Sequence, residues 1–242
     1  MVRVPVGESV SRARVRSRRL ATRMGPTVPY LAAAAAATIA GAAHRRRAAE
    51  ITKPLPLLVL AVHSARGARR RGGVDNALLA GALAFSAAGD RAMLLEEFTD
   101  EPSAKDRRLQ IGASLFACAQ LCLTGIMWRR GARPRRAGLV LRTAILAESA
   151  TVMALRRPRL LPVLGGYGNT LALMSSTAGA AERPQPRLRT GGWLFLASDL
   201  TIINRRHLIG DKRLAAVAEA WVLASYFAAQ WLLVTSLSES DG

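Results

Sequence analysis

Two aspartates stand where the chain is otherwise apolar. Asp90 lies in the stretch LAFSAAGDRAMLLEEF and Asp199 in GGWLFLASDLTII, and residues 77–88 before the first carry no charge. An ionisable group inside a membrane segment costs about 3 kcal/mol on insertion scales, and it turns toward the protein interior or a wet cavity. Two such carboxylates form the pair that general acid–base chemistry uses: one gives a proton and the other takes one from water. Other polar groups recur at matching depths. Lys53 heads one apolar segment, Glu148 lies in the middle of another, Tyr167 and Asn169 share a third, and Ser198 adjoins Asp199. Tyr226 and Gln230 are four apart, so they share one face of a helix. The spacing is compatible with one shared polar cavity. It is also compatible with a structural role, in which Asp90 pairs with Arg91 or Arg142 and Asp199 caps a helix.

The chain contains no HExxH, GxSxG, phosphate-binding loop or Cys/His cluster. No metal or other cofactor is therefore expected. Cys118 and Cys122 lie on one side of a helix and read as small core residues.

The elements that must hold these groups are visible in the charge pattern. Half of the 242 residues are hydrophobic, yet the net charge is +19. The conflict resolves because the arginines are clustered, at residues 45–47, 69–71, 129–136, 156–159, 183–189 and 205–213, with long Ala, Leu, Val and Ile stretches between them. That is the pattern of membrane helices joined by basic loops. A nucleic-acid partner is disfavoured, since aromatics for base stacking make up only 5% and the arginines follow no single face.

The fold class expected is all-α, a polytopic bundle of about eight spans near residues 28–43, 54–64, 76–95, 111–128, 137–155, 160–181, 191–203 and 214–237. The second and seventh are short for a bilayer that needs about 20 residues. One transmembrane domain over 27–237 would follow a basic, disordered arm (1–26) and precede a short polar tail (238–242). Met24 offers an alternative start. The first apolar segment is read as an uncleaved span, although Ala-Gly-Ala at 40–42 resembles a signal-peptidase site. By count, the arm and the second, fourth and sixth loops hold seven, four, five and three Lys or Arg, against about three (four with Lys53, which heads the second segment), three, three and four in the alternate loops. The positive-inside rule then places both termini in the cytoplasm of a cell-membrane protein. The oligomeric state is left open.

Five stretches carry a family resemblance. TKPLPLLVL (52–60), GDRAML (89–94), LPVLGGYGNTLALM (161–174), GGWLFLASDLTI (191–202) and SYFAAQWLL (225–233) resemble, in order, elements of the YhhN family, the lysoplasmalogenase-like membrane proteins. The resemblance covers residues 53–233. The chain departs from the family pattern in the fourth helix, where Gln120 and Leu123-Thr124 stand in place of a His and a Tyr.

The resemblance implies hydrolysis of the vinyl ether of a lysoplasmalogen, a lipid substrate, to a fatty aldehyde and a glycerophospho-alcohol. The chemistry suits the residues. Protonating the alkene carbon makes an oxocarbenium ion that water captures, and a second carboxylate can stabilise the cation and deprotonate the water. Asp90 and Asp199 are the catalytic candidates. Lys53 is the candidate for the lipid phosphate, and Tyr167, Asn169, Ser198, Tyr226 and Gln230 are candidates for the glycerol end or the water. A transporter using the same carboxylates, or a structural membrane protein, remains the alternative.

Overall fold

A computed structural model describes residues 25–180, 185–208 and 211–239. Most of the N-terminal arm and the last three residues lie outside them. The described residues are helical, without strands. The helices are α1 (Thr27–Ala42), α2 (Arg46–Thr52), α3 (Pro54–Arg66), α4 (Gly73–Glu97), α5 (Pro102–Arg129), α6 (Arg136–Arg156), α7 (Leu161–Ala178), α8 (Pro186–Leu208) and α9 (Lys212–Ser238).

Local chemistry sets the helix ends. Proline takes the first position of α3 and α5, where its missing N–H costs no intrahelical bond. The Glu101 carboxylate accepts from the Ser103 and Ala104 amides, so α5 starts immediately after it. Asp211 does the same for α9, accepting from the amides of Arg213 and Leu214. EEFTDEPSAKDRR is therefore not the long charged loop that its composition suggests. Its acidic start ends α4 and its basic end opens α5, which leaves only residues 98–101 as connection. Likewise α8 runs well beyond 191–203 at both ends.

Eight of these helices, all but the short α2, occupy the eight apolar segments of the sequence. Four of them are long and apolar enough to cross a membrane: α4, α5, α6 and the Arg213–Ser238 part of α9. The others fall short for different reasons. Helices α1 and α3 have 16 and 13 residues. Gly, Asn, Ser and Thr dilute α7, while α8 carries five Arg and Asp residues along its 23.

Successive long helices reverse direction, which sorts the connections into two ends. At one end His44 meets Glu97 at 3.1 Å and Arg157 meets Asp106 at 2.7 Å. At the other, Arg129 meets Asp75 at 2.7 Å, and Arg71 and Arg130 donate to the carbonyls of Ser238 and Leu237, each at 2.8 Å. Helix α9 is the centre of the bundle, with 61% of its apolar window buried, against 17% for α6. The Tyr30 hydroxyl ties α1 to it by donating to the Phe227 carbonyl at 2.6 Å. Because α6 is peripheral, Glu148 faces outward and does not join the inner polar groups.

Close helix approach depends on missing side chains. A Cβ at Gly192 would lie 3.0 Å from the Ala178 Cβ and 3.2 Å from the Ser175 backbone, so α8 rests directly on α7. Gly192→Ala should push these helices apart and destabilise the protein by about 1–3 kcal/mol, the usual cost of overpacking. A lowered melting temperature in detergent would register it. An unchanged Tm would mean that the α7–α8 contact is loose.

Candidate active site

Between α4 and α5 on one side and α6 to α9 on the other lies a cavity of about 650 Å³. Asp90 and Asp199 both line it, on α4 and α8, together with Lys53, Tyr167, Asn169, Ser198 and Tyr226. Its walls are otherwise largely apolar, with Met93, Phe116, Leu146, Met153, Phe195 and Leu223 among them.

Each carboxylate is held by a tyrosine from a different helix. Tyr226 on α9 donates its hydroxyl proton to Asp90 Oδ2 at 3.0 Å. Tyr167 on α7 donates to Asp199 Oδ2 in a short hydrogen bond. The two pairs are alike, but their supports differ. Gln230 lies outside the cavity lining; its Nε2 donates to the Tyr226 hydroxyl at 3.1 Å and to Ser86 Oγ at 3.0 Å. Phe116 and Phe195 meet the Tyr226 ring edge-on, at centroid distances of 5.9 and 5.7 Å. Gly89 makes room for the first of these: a Cβ there would sit 3.0 Å from the Phe116 ring. The glycine before Asp90 thus lets α5 press against α4 at the level of the carboxylate.

The structural role considered for the aspartates does not match this geometry. Arg91 is exposed and lies 3.7 Å from Glu50. Arg142 donates to Ser175 Oγ and to the Gly138 carbonyl, both at 2.9 Å. Asp199 sits well inside α8 and does not cap it.

The remaining sequence candidates separate by what their polar atoms do. Lys53 is 8% exposed and lies 3.5 Å from Glu97, so its ammonium is held inside and does not reach out to an interface. Asn169 makes no side-chain hydrogen bond to a described residue and is an exposed part of the cavity lining. The Ser198 hydroxyl is committed to the Val222 carbonyl at 3.0 Å, a link between α8 and α9. Gln120, in place of the family's His, is buried; its Oε1 accepts from Thr170 while its Nε2 has no partner among the described residues. It is not among the residues lining the cavity.

The YhhN family model matches residues 48–237, most of the chain. The chain belongs to the YhhN family. No curated protein and no solved structure matches it. The YhhN match begins in α2 and ends in α9, so it encloses every residue of the cavity. Several lining residues of this YhhN chain are absent from the sequence-based candidates: Glu96, Glu97, Lys105, Arg157 and Glu219. Four of them lie at helix ends, where charges read as loop residues, whereas Glu219 is buried in the third turn of α9, within the apolar segment 214–237. The signal that could have found Glu96 and Glu97 is their helical spacing from Asp90, since they follow it by six and seven residues, about two turns.

Proposed function

We propose that this chain is an integral membrane hydrolase that cleaves the vinyl ether of a lysoplasmalogen-type lipid. The single observation that carries the reading is that Asp90 and Asp199 line one largely apolar cavity, each hydrogen-bonded by a tyrosine. A cavity of 650 Å³ falls within the range of small-molecule sites, about 300–1,000 Å³, large enough for the glycerol and the start of an acyl-like chain.

In this reaction one carboxyl gives its proton to the alkene carbon that does not carry oxygen. The neighbouring carbon becomes an oxocarbenium ion, stabilised by the second carboxylate. Water adds to it and loses a proton to that carboxylate, forming a hemiacetal. The hemiacetal collapses to the aldehyde as its ether oxygen takes the proton from the second carboxyl and leaves as the glycerophospho-alcohol, while its hydroxyl proton passes to the first carboxylate. Both carboxyl groups return to their starting states, and one water is consumed. The apolar walls keep bulk water from competing for the acid's proton.

In the same reading all the helices except the short α2 cross the cell membrane, and both termini lie at the arginine-rich, cytoplasmic end. Lys53 receives the lipid phosphate and Asn169 the glycerol hydroxyl. Incubating the purified protein with a lysoplasmalogen and measuring aldehyde tests the activity. Absence of aldehyde above the protein-free rate would favour transport or a structural role.

Lys53→Gln should raise KM roughly tenfold while kcat changes little, because a charge-assisted contact to phosphate is made in ground and transition states alike. Steady-state aldehyde release across substrate concentrations measures the split. A fall in kcat at constant KM would take Lys53 out of phosphate binding.

A further inference from the structure

A second, smaller cavity of about 230 Å³ opens at the opposite end of the bundle, where α6 and α8 begin and α7 ends. We propose that it is a binding site for an anionic phosphate group, separate from the carboxylate cavity. Arg135, Arg142 and Arg189 line it, and among the described residues none of the three makes an ion pair.

Arg142 is the anchor. It is 5% exposed, deep for an arginine, and its guanidinium stacks on Trp193 at 4.3 Å from the ring centre. Of its five N–H groups, Nε bonds Ser175 and Nη1 bonds Gly138, which leaves Nη2 without a described acceptor. Nor is the arginine consumed in closing the end of α7, because the Ser176 and Thr177 carbonyls already accept from the amides of Gly179 and Ala180. A buried, positioned, partly unbonded guanidinium with a cavity beside it is suited to receive an anion.

Ser176 supplies an independent sign. It is 3% exposed, lines the same cavity, and its hydroxyl has no hydrogen-bond partner among the described residues. Buried hydroxyls are normally satisfied. A phosphate oxygen in the cavity would accept from Ser176 Oγ and Arg142 Nη2 together. A Cβ at Gly138 would lie 3.1 Å from Ser176 Oγ and 3.4 Å from Arg142 Nη1, so the glycine keeps this space open. The first turn of α6 adds the positive end of a helix, with Ala137 and Gly138 on the lining.

The phosphate can belong to an anionic lipid headgroup, since basic pockets between membrane helices take such groups, or to a free phosphate. Full-length protein in a neutral detergent separates the two. One titration uses inorganic phosphate; another uses short-chain phosphatidylglycerol, with phosphatidylcholine as the comparison. Thermal stabilisation and native mass spectrometry are the readouts. Saturable stabilisation by phosphatidylglycerol over phosphatidylcholine supports the site with a lipid source, and saturable stabilisation by inorganic phosphate supports it with a free one. In either case Arg189→Gln should weaken binding roughly tenfold and Ser176→Ala by a few-fold, on the scale of lost charge-assisted bonds. Arg189 is exposed, so its variant should fold even if Arg142→Gln does not. In Lys53→Gln the component of binding that Arg189→Gln weakens should persist, which separates this site from the carboxylate cavity. Affinities equal in wild type, Arg189→Gln and Ser176→Ala, or no preference for either anion, would overturn the proposal.

Discussion

Asp90→Asn and Asp199→Asn should each insert and fold as the wild type does, yet lose at least about a hundredfold in ether hydrolysis. Asparagine keeps the shape of aspartate and can still accept a hydrogen bond from the tyrosine hydroxyl. It carries no labile carboxyl proton and cannot take one from water. General acid–base groups contribute about 10²- to 10⁴-fold, or roughly 3–5 kcal/mol of barrier. The double variant should lose little more than the worse single one, as residues that act as a unit do. Aldehyde release by each purified variant, alongside its melting temperature, separates lost chemistry from lost fold. Near-wild-type turnover in either single variant would end the paired-carboxylate mechanism.

The two aspartates were legible because an ionisable residue in an apolar run is costly enough to need a reason. The helices were legible for a related reason, since arginine clusters punctuate the apolar segments. The helix ends were not. Glu96, Glu97, Arg187 and Arg189 read as loop charges, but the helices continue through them. Backbone hydrogen bonding extends beyond the apolar stretch, and the caps at Glu101 and Asp211 decide where it restarts. Nor do eight apolar segments establish eight spans, because four of the helices are too short or too polar by length and composition alone.

Partnerships across the bundle were the least legible part. Tyr167 and Asp199 are 32 residues apart, and Tyr226 and Asp90 are 136 apart. No local rule links them; each pairing follows from which helix faces which. The alternative in which Asp90 pairs with Arg142 fails on the same ground. Arg142 sits in the first turns of α6, at the end of the bundle away from the carboxylate cavity, and is held there by α7 and Trp193. A buried cation and a buried anion in one sequence invite pairing, but the fold sends them to opposite ends.

Tyr167→Phe and Tyr226→Phe should each reduce kcat/KM by roughly ten- to a hundredfold, less than the aspartate variants but more than a surface change. The loss corresponds to one hydrogen bond to a charged group, about 1.5–3 kcal/mol, where each 1.4 kcal/mol is a factor of ten. Phenylalanine preserves ring packing against Phe116, Phe195 and Phe227, so the fold should tolerate the Tyr226 change. The two variants should differ in one respect. Tyr226→Phe also strips the Gln230 amide of one of its two acceptors, leaving Ser86 alone, and so should lower stability as well as activity. Tyr167 donates to Asp199 with no second hydrogen bond of the strength of the Gln230 brace among the described residues, so its variant should lose activity with a smaller change in Tm. Gln230→Leu completes the test. It leaves the Tyr226–Asp90 bond in place and removes only the brace behind it, so its activity should fall less than that of Tyr226→Phe. If Gln230→Leu were as inactive as Tyr226→Phe, the tyrosine would serve only to place α9, and its hydrogen bond to Asp90 would have no part in the reaction.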